Sequence, residues 1–85
     1  MVAIQENDVQ HARQSLFKNV EIDPARLGGE PVFRGTRVPV KSLFDHLRAG
    51  DPLGTFLEDF PGVTHAQAQA VLEAADLFFF EEMKH

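Results

Sequence analysis

The sequence predicts a mainly α-helical domain in which three helices form a helix-turn-helix-like unit, preceded by a short β element. Three observations carry that expectation. From Val40 onward, apolar residues recur at helical spacing through three successive runs. Gly50-Asp51-Pro52 and Pro61-Gly62 break the runs apart. Ahead of them, residues 18–22 alternate polar and apolar, and residues 28–39 are crowded with Gly28, Gly29, Gly35, Pro31 and Pro39.

Residues 1–8 show no pattern and are expected to form a mobile tail. Val9, Ala12 and Leu16 then repeat at helical spacing, enough for a short helix of about two turns. Residues 1–17 accordingly read as an N-terminal extension to one domain over 18–85. The alternation Lys18-Asn19-Val20-Glu21-Ile22 suits a half-buried strand, which Asp23-Pro24 ends. Val32-Phe33 is a second short extended piece. Arg34-Gly35-Thr36-Arg37 makes a tight turn with a guanidinium at each end. The two extended pieces either pair with each other or pair across a two-fold axis, since a lone hairpin is marginal in water.

Val40, Leu43, Phe44 and Leu47 define the first helix, over 40–49, and Gly50 stops it. Asp51 as N-cap and Pro52 at the first helical position start the second, over 52–59, carried by Leu53, Phe56, Leu57 and Phe60. Thr64 and Gln67 fit a capping box for the third helix, over 65–83. Its core stripe is expected to hold Ala68, Val71, Leu72, Ala75, Phe78 and Phe79, all within a sector of about 120°. Leu77 and Phe80 fall outside that stripe, so the helix becomes apolar all round at its end. A small protein rarely leaves such a patch without a partner.

An 85-residue chain has a marginal core, which oligomerisation would support, and with no cysteine it has neither a disulfide framework nor a thiolate metal site. No apolar run approaches the ~20 residues of a membrane span, so a soluble cytoplasmic protein is expected. The net charge of −5 argues against general nucleic-acid coating, yet the charge is uneven. Residues 24–50 hold five bases, Arg26, Arg34, Arg37, Lys41 and Arg48, against two acids, Glu30 and Asp45, a net of +3. Residues 51–85 hold Lys84 against seven acids, a net of −6. Charges beyond about 8 Å are largely screened at physiological salt, so a basic middle can still dock a polyanion.

Catalytic chemistry finds no constellation. Ser42 and His46 lie at i, i+4 on one helix, but a nucleophile also needs its base oriented by a third group and needs oxyanion donors. A solvated helix face accounts for Ser42, Asp45 and His46. His11, His46, His65 and His85 show no paired ligand spacing. Glu58-Asp59 and Glu81-Glu82 are neighbours whose side chains diverge around a helix. The glycines of residues 28–35 match neither a Walker loop nor a dinucleotide fingerprint. No catalytic residue, metal or cofactor is expected.

One resemblance spans residues 18 to 76. Asp23-Pro24, Gly28-Gly29-Glu30-Pro31-Val32, Arg34-Gly35-Thr36-Arg37-Val38-Pro39-Val40, Gly50 and Asp59-Phe60-Pro61-Gly62-Val63-Thr64 together resemble domain of unknown function 433. The resemblance implies a homeodomain-like helical fold and a role as a VapB-like antitoxin of a type II toxin-antitoxin pair. It further implies a PIN-like ribonuclease toxin encoded next door as partner, and operator DNA bound through the helix-turn-helix. The tail from Leu77 to His85 lies outside the motif.

These readings give two expected surfaces. Arg34, Arg37, Lys41 and Arg48 would grip phosphates, while His65, Gln67 and Gln69 would face bases, glutamine being able to read adenine bidentately. The alternative for Arg34 and Arg37 is pairing with Glu30 or Asp45 to fix the turn. Two copies suit this arrangement better than one, because the third helix has no Lys or Arg before Lys84. Leu77 and Phe80, beside acidic Glu81 and Glu82, would seat a toxin with a basic rim. The rival readings are a stand-alone helix-turn-helix regulator and a protein-interaction adaptor with no DNA role.

Overall fold

The computed structural model describes residues 6–25 and 27–83. Residues 1–5 of the expected 1–8 tail, together with Arg26, Lys84 and His85, lie outside the described residues. The elements run α1 (Glu6–Asn19), β1 (Val20–Glu21), a 3₁₀ turn (Leu27–Gly29), β2 (Val32–Phe33), α2 (Val40–Arg48), α3 (Leu53–Asp59) and α4 (His65–Met83). This is a mainly helical domain with a short antiparallel β element, as the sequence predicts.

The β element forms within one chain. β1 and β2 pair antiparallel, Val20 opposite Phe33 and Glu21 opposite Val32. On its other side β2 meets the segment leading into α2. The Phe33 N–H donates to the Val38 carbonyl at 3.0 Å and the Val40 N–H to the Pro31 carbonyl at 2.9 Å. The turn between them is the expected 34–37 turn, with Gly35 at φ +80°, a conformation that L side chains rarely adopt. Thr36 locks it: its hydroxyl donates to the Phe33 carbonyl at 2.7 Å and accepts from the Val38 N–H at 3.0 Å.

α2 ends where Gly50 predicts. Gly50 takes φ +93°, the Gly50 N–H donates to Leu47 and the Asp51 N–H to His46, both at 3.0 Å. That pair of bonds is a Schellman closure. It also corrects the expected start of α3. The Asp51 N–H closes α2, and Pro52, extended at ψ 153°, takes the cap position one residue later, with no side-chain cap. The capping box of α4 is present as expected: the Gln67 N–H donates to Thr64 Oγ1 at 3.1 Å and the Thr64 N–H to Gln67 Oε1 at 3.0 Å.

The core joins the sheet to three helices. Phe33, Leu43 and Phe56 are fully buried, surrounded by Val63, Ala68 and Val71. Phe33 and Phe56 stack at a tilt, ring centres 6.1 Å apart. α1 adds a fourth helix packed along α4, and it is longer than the two turns expected. It begins inside the supposed tail and runs through Lys18 and Asn19, so that the strand shrinks to two residues. Burial of the Ala12 face and the bond from Asn19 Nδ2 to the Ser15 carbonyl at 2.7 Å hold the last turn helical.

The core stripe of α4 needs a larger correction. Phe78 and Phe79 are not in the core; they are 67% and 57% exposed. The reason is length. α4 has 19 residues and spans about 28 Å, whereas α2 and α3 have nine and seven and span about 13 and 10 Å. The short helices cover the first turns, through Ala68 and Val71, and leave the last two turns uncovered.

Candidate functional site

The basic turn is built by contacts that cross the chain. Arg34 leaves β2 and points back at the end of α1, where the last carbonyls of any helix lack intrahelical donors. Its Nη2 donates to the Phe17 carbonyl at 2.7 Å and to the Val20 carbonyl at 3.1 Å, and its Nε to the Lys18 carbonyl at 3.2 Å. Glu21 Oε2 stands 3.8 Å from Arg34 Nη1, and Glu21 Oε1 accepts the Gly35 N–H at 3.2 Å. The expected alternatives of Glu30 or Asp45 are therefore replaced by Glu21 and three carbonyls. Asp45 instead holds Lys41, whose Nζ lies 2.8 Å from Oδ1. Arg37 and Arg48 are exposed and make no ion pair among the described residues.

Gln67 ties this turn to α4. Besides its capping-box role, its Nε2 donates to the Arg34 carbonyl at 2.9 Å. Both ends of the Gln67 amide are therefore engaged inside the protein. His65 and Gln69 are exposed in the first turns of α4. Of the residues expected to face a polyanion, Arg34 and Gln67 thus join the framework, Lys41 is paired to Asp45, and Arg37, Arg48, His65 and Gln69 present open polar groups.

His46 is not on a solvated face. Its ring packs edge-on against Phe56 and Phe60, at 5.4 and 5.5 Å between centres. Nδ1 lies 2.9 Å from the carbonyl of Ser42, not its hydroxyl, and Nε2 lies 3.5 Å from Asp59. The ring bridges α2 and α3. Among the described residues, no group of three or more His, Asp and Glu is placed to hold a metal ion.

The end of α4 has two unlike apolar sides. On one side it forms a groove of about 250 Å³ with α1, floored by Val9, Ala12, Leu16, Ala74 and Leu77, with Phe78 also lining it. Arg13 of α1 and Glu81 and Glu82 of α4 complete its lining. Leu77 is half-buried here because α1 covers the side of α4 expected to be free. On the other side Phe79, Phe80 and Met83 are 57%, 46% and 66% exposed. Phe79 and Phe80 meet edge to face at 5.5 Å. The helical spacing of Val9, Ala12 and Leu16 was the sequence signal for the groove; nothing comparable marks Met83.

A family model described as a protein of unknown function, DUF433, matches residues 20–74, from the first residue of β1 into the middle of α4. The chain belongs to the DUF433 family. The family match thus takes in Arg34, Arg37, Lys41, Arg48, His65, Gln67 and Gln69 and stops short of Leu77, Phe80, Glu81 and Glu82. A crystal structure of a DUF433 member protein from Anabaena variabilis ATCC 29413 is similar in fold, with a TM-score of 0.61 at 28% identity. That likeness covers 95% of this chain and 78% of the other, so it reaches beyond the family match on both sides. No protein of curated function matches this DUF433 chain.

Proposed function

We propose that this chain is a non-catalytic binding module, the antitoxin of a type II toxin-antitoxin pair, which neutralises a PIN-like ribonuclease by occupying its surface. The observation that carries the proposal is the side of α4 formed by Phe79, Phe80 and Met83, large apolar side chains left in water on a small protein. Exposed aromatics on a rigid helix are suited to act as interface anchors, and their loss of rotamer freedom on binding is small. Glu81 and Glu82 line the groove on the other side of the same helix end, so their carboxylates attract a basic partner, such as an RNA-cleaving protein, at a distance and are not part of the aromatic contact itself. Blocking requires contact alone, so the role calls for no nucleophile, acid–base pair or metal.

The test is co-expression of the tagged chain with the product of the neighbouring reading frame, with the mass of the eluted species read by light scattering. The expected result is a complex in which ribonuclease activity is silent. In Phe79→Asp/Phe80→Asp the complex dissociates and activity returns, with the helical content of the free chain unchanged. A neighbour that is folded and active beside the free chain overturns the proposal. Leu77 is not used for this test, because a charge there would unseat α1.

A second reading, autoregulation through operator DNA or a stand-alone regulator, is favoured by one observation: Arg37 and Arg48 carry charge that nothing in the described protein neutralises. With Arg34 and Gln67 committed internally, phosphate contact would fall to Arg37, Arg48 and, on release from Asp45, Lys41. His65 and Gln69 would be left to face bases.

A further inference from the structure

We infer that the groove between α1 and α4 is the contact surface for a second copy of this chain, which fills it with Phe78. Three features converge. The first is size: a cavity of ~150 Å³ holds a benzene molecule, so a groove of about 250 Å³ admits one phenyl ring with room for its stem. The second is self-complementarity. Phe78 belongs to the groove's own lining yet is 67% exposed, so it leaves the groove unfilled and projects most of its ring into water. A two-fold axis brings each ring against the other copy's groove, which is the requirement of an isologous contact.

The third is charge. Arg13 lines the groove from α1 and Glu82 lines it from α4. Both are exposed, and neither has an ion pair among the described residues. A two-fold axis running along the helices sets α1 of one copy over α4 of the other. Arg13 then meets the opposite sign twice, once in each half of the pair. The result is a four-helix arrangement, α1 and α4 from each copy, joined by apolar side chains and bordered by opposite charges.

The size of the contact sets its strength. α1 is 14 residues, about 21 Å long, and two helices side by side give a footprint of roughly 400 Å² per copy. That is the size class of weak or transient pairs. The surface is also distinct from the Phe79, Phe80 and Met83 side, so a dimer leaves that side open. The inference therefore does not depend on what the chain neutralises, and failure to find a toxin leaves it untouched.

Sedimentation equilibrium of the full chain from roughly 10 μM to 1 mM, the range weak contacts occupy, tests it. The expected result is a mass rising from 9.5 kDa toward twice that value. Phe78→Gln is expected to raise the dissociation constant at least tenfold, and Phe80→Gln, on the opposite side, to leave it within twofold. Arg13→Glu weakens the pair, and Arg13→Glu/Glu82→Arg restores it, an effect that a general loss of folding would not produce. Circular dichroism confirms that each variant remains helical. A chain that stays monomeric at all concentrations overturns the inference. So does a dimer indifferent to Phe78→Gln, or a Phe78→Gln variant whose only loss is binding to a toxin.

Discussion

Arg34 Nη2 lies 2.7 Å from the carbonyl oxygen of Phe17, so a side chain from the turn after β2 closes the C-terminus of α1. The two residues are far apart in sequence and belong to different elements. Their bond, with those to Lys18 and Val20, makes one guanidinium the clasp between the helix and the sheet. Gln67 then holds the Arg34 carbonyl from α4, so turn, α1 and α4 meet at a single residue.

Arg34→Ala is expected to lower stability by about 1–2 kcal/mol, the value of charge-assisted bonds discounted for a side chain half open to water. Arg34→Lys should recover little of this, because an ammonium lacks the planar fork that reaches several carbonyls at once. Urea denaturation of the three proteins checks it. Equal stability of the arginine and lysine forms would mean that charge alone, not the fork, matters here.

Gln67→Ala should cost about 1–2 kcal/mol, since it leaves the Thr64 N–H without its capping partner and the Arg34 carbonyl without a donor. Gln67→Glu separates the two roles. Glutamate keeps the acceptor for Thr64 but turns a carboxylate oxygen toward the Arg34 carbonyl. Thermal unfolding near neutral pH should show the glutamate form less stable than wild type. Lowering the pH to protonate that carboxyl should narrow the gap, because the neutral acid can donate again. A gap that stays constant with pH would argue against the Arg34 carbonyl as the relevant partner.

What was legible in the sequence was whatever a few neighbouring residues decide. Thr64 and Gln67 are three apart, and their reciprocal bonds follow from helix geometry alone. Gly50 likewise stops α2 because only its own backbone must turn. Asp51 stands one position too early for the cap, because Pro52 stays extended and the chain turns helical only at Leu53. Arg34's destination was not legible, since its acceptors appear only once α1 is packed beside the sheet. Phe79 shows the same limit from another direction. Periodicity states which residues share a face of α4, but not that α2 and α3 end before Phe79 is reached. The site residues therefore split: the residue types were visible, while their exposure and partners depended on docking between distant segments.

Phe56 is the most connected aromatic of the core, fully buried and touching Phe33, His46 and Phe60. Phe56→Ala is expected to cost about 3–5 kcal/mol through lost burial and the cavity left behind. Domains of this size hold only about 5–15 kcal/mol in total, so the variant loses a large share of its stability and should melt well below wild type. Phe56→Leu should cost under about 2 kcal/mol and remain folded. His46→Ala removes two edge contacts and the bridge to Asp59, and should fall between the two. Circular dichroism melts of the series would show that order; a His46 variant as stable as wild type would remove the ring from the packing that joins α2 to α3.

Arg37 and Arg48 decide whether the basic segment holds a polyanion. Each phosphate contact contributes roughly one unit to the slope of log affinity against log salt, so losing one should flatten the slope by about 0.9. Arg37→Ala and Arg48→Ala are expected to do this with unchanged melting temperature, because neither side chain has a partner among the described residues. Arg34→Ala should instead lower the melting temperature, and any loss of DNA affinity should disappear at temperatures where the variant is fully folded. Titration of a duplex carrying the chain's own upstream region, at several salt concentrations, reads both quantities. A flat salt dependence in the wild type would take DNA out of the account and leave the apolar surfaces of α4 as the working parts of the molecule.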